Sequence, residues 1–348
     1  MKHIISTGRV KSDLQVAADI AKMEAAADFN GIVIQTTYQD PVAGRSFLLN
    51  HISVPYAIPY ELLQPSEERL SGTIFTKFKS NFIRMNIAEP GLTWLMNDVD
   101  RDIFVHNCAM AARLARKAGM LGIFIDTEAY SGSMFWRFLG IALEHPGLPT
   151  FAEYEAKYYD TGLRMGREFR REFCDITLAI AVSFEQLRKV AATDLPTDRY
   201  GLLPSFLNGL YDGLANSATA TIVNVMEDGY SNRIDADFDY DLAIQQQANV
   251  PYLTSRNYSN VHAYGMSTWC DYPGTGFNFT DVSKNYNTPK GFEANLEMCL
   301  SRLDWVFNYS QQLDWLDPVM GVNAPPVAYV EALSRAMRKR KEVKGTCG

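Results

Sequence analysis

Gly122-Ile123-Phe124-Ile125-Asp126-Thr127-Glu128-Ala129-Tyr130 is the stretch whose reading decides the fold. It opens as a continuous apolar run, the mark of a strand buried on both faces. It closes on two carboxylates two residues apart, which on a strand share one face. The helical pattern before it, residues 100–118, stops at Gly119, a residue suited to ending a helix. Outward from there the same alternation repeats. Apolar runs lie at 3–6, 31–36, 82–87, 122–126, 176–182, 221–226, 261–267 and 305–309. Helical patterns lie at 13–29, 100–118, 152–173, 203–215, 237–248, 291–303 and 326–341, and a further helix is expected over 66–79. Ser12 is a suitable N-cap for the first, and Pro204 suits the opening turn of the fourth.

Eight strand–helix units in order predict an α/β fold: a single (β/α)8 barrel with extended βα loops over residues 1–341, and a short tail at 342–348. Length alone would also allow two domains of about 150 residues. The competing doubly wound sheet would carry a glycine-rich phosphate loop after its first strand. Ser6-Thr7-Gly8-Arg9-Val10 stands there instead, and neither GxGxxG nor GxxxxGK[ST] occurs in the chain.

The composition is that of a globular protein, 47% hydrophobic and 21% charged, which excludes a disordered chain. The net charge of −7 repels phosphate backbones, so nucleic acid is not an expected partner. The basic run from Arg335 to Lys344 reads as the solvated end of the last helix. Five cysteines without a CxxC spacing argue against a zinc knuckle, a thioredoxin-type site or a disulfide framework. No run of about 18 apolar residues exists, so no membrane span is expected. Met1 to Ser6 has no apolar stretch of signal-peptide length. A cytoplasmic location or a mature secreted form fits equally.

Active sites of such barrels lie at the C-terminal ends of the strands. Asp126 and Glu128 end the fourth strand, and Glu227 and Asp228 follow the sixth. Around them stand Gln35 and Tyr38 after the second strand, and Arg84, Asn86 and Trp94 on and after the third. Tyr130 follows the fourth, Tyr264 and Trp269 come from the seventh, and Asn308, Tyr309 and Trp315 from the eighth. Trp and Tyr stack on the apolar faces of sugar rings, while Asn, Gln and Arg bind their hydroxyls. Glycosidic cleavage needs one carboxylic acid to protonate the leaving oxygen and a carboxylate or substrate group at the oxocarbenium-like centre. Two adjacent like charges raise each other's pKa, which keeps one protonated. Glu128 is thus the expected general acid, Asp126 the group that tunes or orients it, and Glu227 a further catalytic or substrate-binding carboxylate. In the bland alternative, Asp126 and Glu128 cap the next helix or pair with Arg84 or Arg137, and Asp228 only forms a turn.

Other chemistries have less behind them. Neither HxH nor HExxH occurs among the five histidines, and no GxSxG is present. No metal or cofactor is expected, although an all-carboxylate Mg²⁺ or Ca²⁺ site from Asp126, Glu128 and Glu227 stays open. Three further functions remain beside the hydrolase. These are a catalytically silent carbohydrate-binding barrel, a metal-dependent lyase or isomerase, and a polysaccharide lyase with Tyr130 or Tyr264 as base.

The strand from Gly122 to Tyr130, after a helix ending Ala115-Arg116-Lys117-Ala118-Gly119, resembles a group of glycoside-hydrolase-like TIM-barrel proteins of environmental bacteria, which carry an equivalent GI-x-F-D-x-E-x-Y strand. The resemblance extends to Met23-Glu24…Phe29-Asn30-Gly31, to Val225-Met226-Glu227-Asp228, to Trp305…Ser310 and to Pro325-Pro326…Leu333. It implies a glycosidase-type barrel acting on a poly- or oligosaccharide and names no particular sugar. Asp126-x-Glu128 is also similar to the end of the chitinase-type strand-four signature, in which the Glu is the acid and the Asp assists a substrate acetamido group. Gly122 and Phe124 replace the earlier acidic positions of that signature. The seventh strand lacks the Glu of the cellulase-like clan, so retention, inversion with Glu227 or Asp228 as base, and substrate assistance all stay open.

Overall fold

A computed structural model describes residues 2–39, 46–48, 52, 54–88, 98–130, 135–139, 150–215, 218–246, 250–316 and 323–345. Eight parallel strands close into a barrel. In chain order they are β1 (His3–Ser12), β2 (Gly31–Gln35), β5 (Phe82–Asn86), β6 (Gly122–Asp126), β7 (Thr177–Ile180), β8 (Thr221–Asn224), β9 (His262–Trp269) and β10 (Trp305–Tyr309). The protein is a (β/α)8 TIM barrel. Two short strands, β3 (Thr37–Gln39) and β4 (Ser46–Leu48), pair antiparallel in the loop after β2.

The helices start where the sequence supplies caps. Ser12 and Gln15 form a reciprocal capping box at the helix Asp13–Ala26, and Thr150 with Glu153 does the same at Phe151–Glu172. Gly119 takes φ +70 after Asp98–Lys117, a conformation that costs glycine little. The helix expected over 66–79 forms only at Gln64–Ser71. Beyond it, the amides of Thr76, Lys77 and Phe78 all donate to the Glu24 carboxylate, so this segment is not held by helical bonds. The last helix runs Val327–Gly345, past the end expected at residue 341.

Strand parity sorts the core into two. Ile5, Val33, Phe82, Phe124, Ala179, Val223, Val225 and Phe307 fill the barrel, while the larger cluster lies between strands and helices. Phe124 therefore points inward, and Asp126 and Glu128, two and four residues on, rise from the same side towards the C-terminal mouth. Gly122 has no room for a side chain, since a Cβ there would lie 1.8 Å from the Thr177 carbonyl oxygen.

Candidate active site

At that mouth lies a cavity of about 340 Å³, lined by Thr7, Val33, Arg84, Phe124, Asp126, Glu128, Tyr130, Glu227, Tyr230, Trp269 and Tyr309. Seven expected site residues meet here: Arg84, Asp126, Glu128, Tyr130, Glu227, Trp269 and Tyr309. The third and fourth strands deliver Arg84 and Asp126 from neighbouring rows of one register, in which Arg84 pairs with Phe124 and Asn86 with Asp126.

Asp126 is 4% exposed and fully engaged. Its Oδ2 accepts from Arg84 Nη2 and from the Tyr130 hydroxyl, both at 2.7 Å, and its Oδ1 accepts the Glu128 amide at 3.1 Å. The ion pair with Arg84 weighed as an alternative in the sequence thus exists, inside the cavity. Burial raises the Glu128 carboxyl above its ordinary range, and the charge of Asp126 adds to it. Glu227, bonded at Oε1 by the Tyr230 hydroxyl at 2.8 Å, is pushed up to about 8 by burial and then by Asp126. Around the acids, Trp269, Tyr309 and Tyr230 form an aromatic wall. Ring centroids are 4.9 Å apart for Trp269–Tyr309, 5.2 Å for Tyr230–Trp269 and 5.4 Å for Tyr230–Tyr309.

The remaining expected residues do not line this cavity. Asn86 accepts Arg84 Nε at 3.1 Å and braces the guanidinium. Gln35 shares the inward side of β2 with Val33 but stands outside the lining. Tyr38 is buried in the β3 ribbon, its hydroxyl 3.4 Å from that of Tyr56. Asp228 turns away to Arg188, at 2.5 Å. Tyr264 has the opposite parity to Trp269, and its ring is exposed and meets the edge of His262. Asn308 faces the helix layer, where Thr268 donates to it at 3.3 Å. Trp315 is core, edge-on to Phe29. Trp94 lies outside the described residues.

Three contributors escaped the sequence reading. Thr7 and Tyr230 line the cavity, and Tyr230 sits one helical turn after Glu227, a spacing that could have flagged it. Glu185 is fully buried at the mouth of β7, and burial pushes its carboxyl up to about 7. Among the described residues, no group of three or more His, Cys, Asp or Glu side chains is placed to hold a metal ion, and no helix is long and apolar enough to cross a membrane.

No family model and no curated protein matches the chain. Solved structures do. One is active domain 2 of a thermostable chitinase from Pyrococcus furiosus, at 9% identity over 97% of this chain and 96% of that one, with a TM-score of 0.49. Another is a broad-specificity endoglucanase from an uncultured bacterium, at 9% identity over 92% and 84%, with a TM-score of 0.47. A third is a chitinase from Flavobacterium johnsoniae, at 11% over 96% and 94%, with a TM-score of 0.44. At such identities the likeness is one of fold, and one fold hosts many chemistries.

The carboxyls predict a pH dependence of stability. Glu185 and Glu227 have folded values of about 7 and about 8 against 4.5 for the free side chain. Between those limits the folded protein holds protons that the unfolded chain has released, so stability falls as pH rises. His262, pushed down to about 3 by burial, acts oppositely, but only below its free value of 6.5. The decline should therefore be steepest between about pH 6.5 and 7, continue more gently to about 8 and flatten above. Urea unfolding across that range measures it, and a midpoint that rises over the window would contradict the raised values.

Proposed function

We propose that the protein is a glycoside hydrolase that cleaves a poly- or oligosaccharide at the mouth of the barrel. The observation that carries this reading is the cavity itself: three carboxyls, two of them with raised pKa, facing an aromatic wall. Such a wall suits the apolar face of a sugar ring. An acid kept protonated near neutral pH is what a poor alkoxide leaving group requires.

In this mechanism Glu128 gives its proton to the glycosidic oxygen as the bond to the anomeric carbon breaks. Positive charge then develops on the ring carbon and ring oxygen. Asp126, ion-paired to Arg84 and bonded by Tyr130, supplies fixed negative charge beside that centre. Water completes the reaction, its hydroxide going to the anomeric carbon and its remaining proton restoring Glu128. Glu227, with a value of about 8, holds a proton at neutral pH and serves there as a donor to a sugar hydroxyl rather than as a base.

The test is reducing-end release over a broad glycan panel, neutral, anionic and N-acetylated, with Glu128→Gln as the paired control. Release by the wild type that vanishes in the variant supports the hydrolase. Binding without release by both proteins would sink it in favour of a silent carbohydrate-binding barrel. Activity lost to EDTA and restored by a divalent cation would point to the metal-dependent class instead.

A further inference from the structure

Glu227 is carried into the cavity by a backbone that a side-chain-bearing residue seldom adopts. Met226, just before it, has φ 52 and ψ 68, in the left-handed region. Its side chain is fully buried, and its backbone is clamped on both sides. The Met226 amide donates to Asn224 Oδ1 at 2.9 Å. The Met226 carbonyl accepts the Gly229 amide at 3.1 Å and the Ser267 amide at 3.3 Å. Gly229 closes the turn because a Cβ there would lie 2.4 Å from Met266 Sδ.

The other end of Asn224 leads to Glu185. Asn224 Nδ2 donates to Glu185 Oε2 at 3.1 Å, and Glu185 Oε1 accepts the Ser183 amide at 2.8 Å. Glu185 is 2% exposed and does not line the cavity. Arg188 stitches the same two loops a second time, donating to the Glu185 carbonyl at 2.9 Å and pairing with Asp228 at 2.5 Å. A carboxyl in such a dry place is costly unless it is bonded, and both of its oxygens are bonded to groups that shape these loops.

We propose that Glu185 is a positioning residue, which through Asn224 and the Met226 amide holds the left-handed turn that aims Glu227 into the cavity. The consequence for catalysis rests on the hydrolase reading; the positioning does not, and its test is arranged accordingly. The full-length protein is labelled with ¹³C at its glutamate carboxyls and titrated by NMR, with the Glu227 signal identified by its absence in Glu227→Gln. The groups facing Glu227 are Tyr230, Asp126, Glu128, Glu185, Arg84, Tyr309 and Tyr200, and Asn224→Ala replaces none of them. It does remove a bond that lowers the Glu185 carboxyl, so the Glu185 signal, identified by its absence in Glu185→Gln, is followed in the same titration. The wild-type midpoint is expected near about 8. In Asn224→Ala the turn relaxes, Glu227 gains water, and the midpoint should fall by about one pH unit or more. A folded Asn224→Ala that titrates as the wild type overturns the proposal.

Should Asn224→Ala not fold, the crystal structure of Glu185→Gln decides. Met226 returning to negative φ with Glu227 out of the cavity supports the proposal, and an unchanged turn overturns it. On any glycan the wild type cleaves, Asn224→Ala should lower kcat by a larger factor than it raises KM, whereas an equal loss in thermal stability alone would mark a purely structural link. If the wild type cleaves nothing, the hydrolase reading fails while the titration still judges the positioning.

Discussion

Glu128→Gln should lower turnover by about 10²–10⁴-fold while glycan affinity stays within about tenfold. Glutamine fills the same space and keeps one carbonyl acceptor, but it has no proton to give to the leaving oxygen. The fold should tolerate the change. Glu128 is only partly buried, and its ionised form sits beside Asp126, whose charge opposes it. Removing the ionisable group removes that repulsion, so thermal stability should be unchanged or slightly raised. Initial rates and isothermal titration with one cleaved glycan measure the two effects separately. A variant that keeps a tenth or more of wild-type turnover would take Glu128 out of the acid role and leave Glu227, the other cavity-lining carboxyl with a raised value, as the donor.

The second large effect is one of stability. Asp271 follows Trp269 by two residues and is 1% exposed. One oxygen accepts the Trp269 indole N–H at 2.7 Å. The amides of Gln311, Gln312 and Leu313, in the loop after β10, also donate to this carboxylate, at 3.1, 2.5 and 2.8 Å. Asp271→Ala strands all four donors. An unsatisfied buried donor costs roughly 1–3 kcal/mol, and water entering the gap recovers part of that, so a net loss of about 3–5 kcal/mol is expected. Calorimetry should show this as a Tm lower by about 4–7 °C. The indole would also lose the bond that fixes its plane against Tyr309, so KM for a glycan should rise more than kcat falls. Asp271→Asn keeps the shape but turns two donors towards N–H groups, and its loss should be intermediate. A Tm within about 2 °C of wild type in Asp271→Ala would show that these amides find other partners.

The outcome at Asp126 shows how far local pattern reaches. A buried parallel strand runs apolar to its end and then turns polar at the barrel mouth, so the first inward polar residues after Phe124 were legible as Asp126 and Glu128. Arg84, Tyr309 and Trp269 followed from the same rule. Where the rule was not carried through, residues were misplaced. Tyr264 and Trp269 differ by an odd number on one strand, and Asn308 is the immediate neighbour of Tyr309, so alternation permits only one of each pair to face inward. The cavity takes Trp269 and Tyr309, while Tyr264 and Asn308 face outward. Trp315 lies beyond the last strand, where no strand parity applies, and packing against Phe29 and Phe292 claims it for the core.

By itself the sequence determined the order of eight strand–helix units, the barrel and the carboxylate pair at the fourth strand, because those depend on periods of two and 3.6 residues and on caps such as Ser12 and Thr150 that act within a few residues. The sequence offered both Glu227 and Asp228 after the sixth strand; only the tertiary structure decided that Glu227 lines the cavity while Asp228 is claimed by Arg188, and that Glu185 and Asp271 bond to Asn224 and Trp269. Those facts depend on how loops from different strands meet at the mouth and on which buried polar group each must satisfy. A hydrogen bond between residues forty positions apart leaves no periodic trace in the chain.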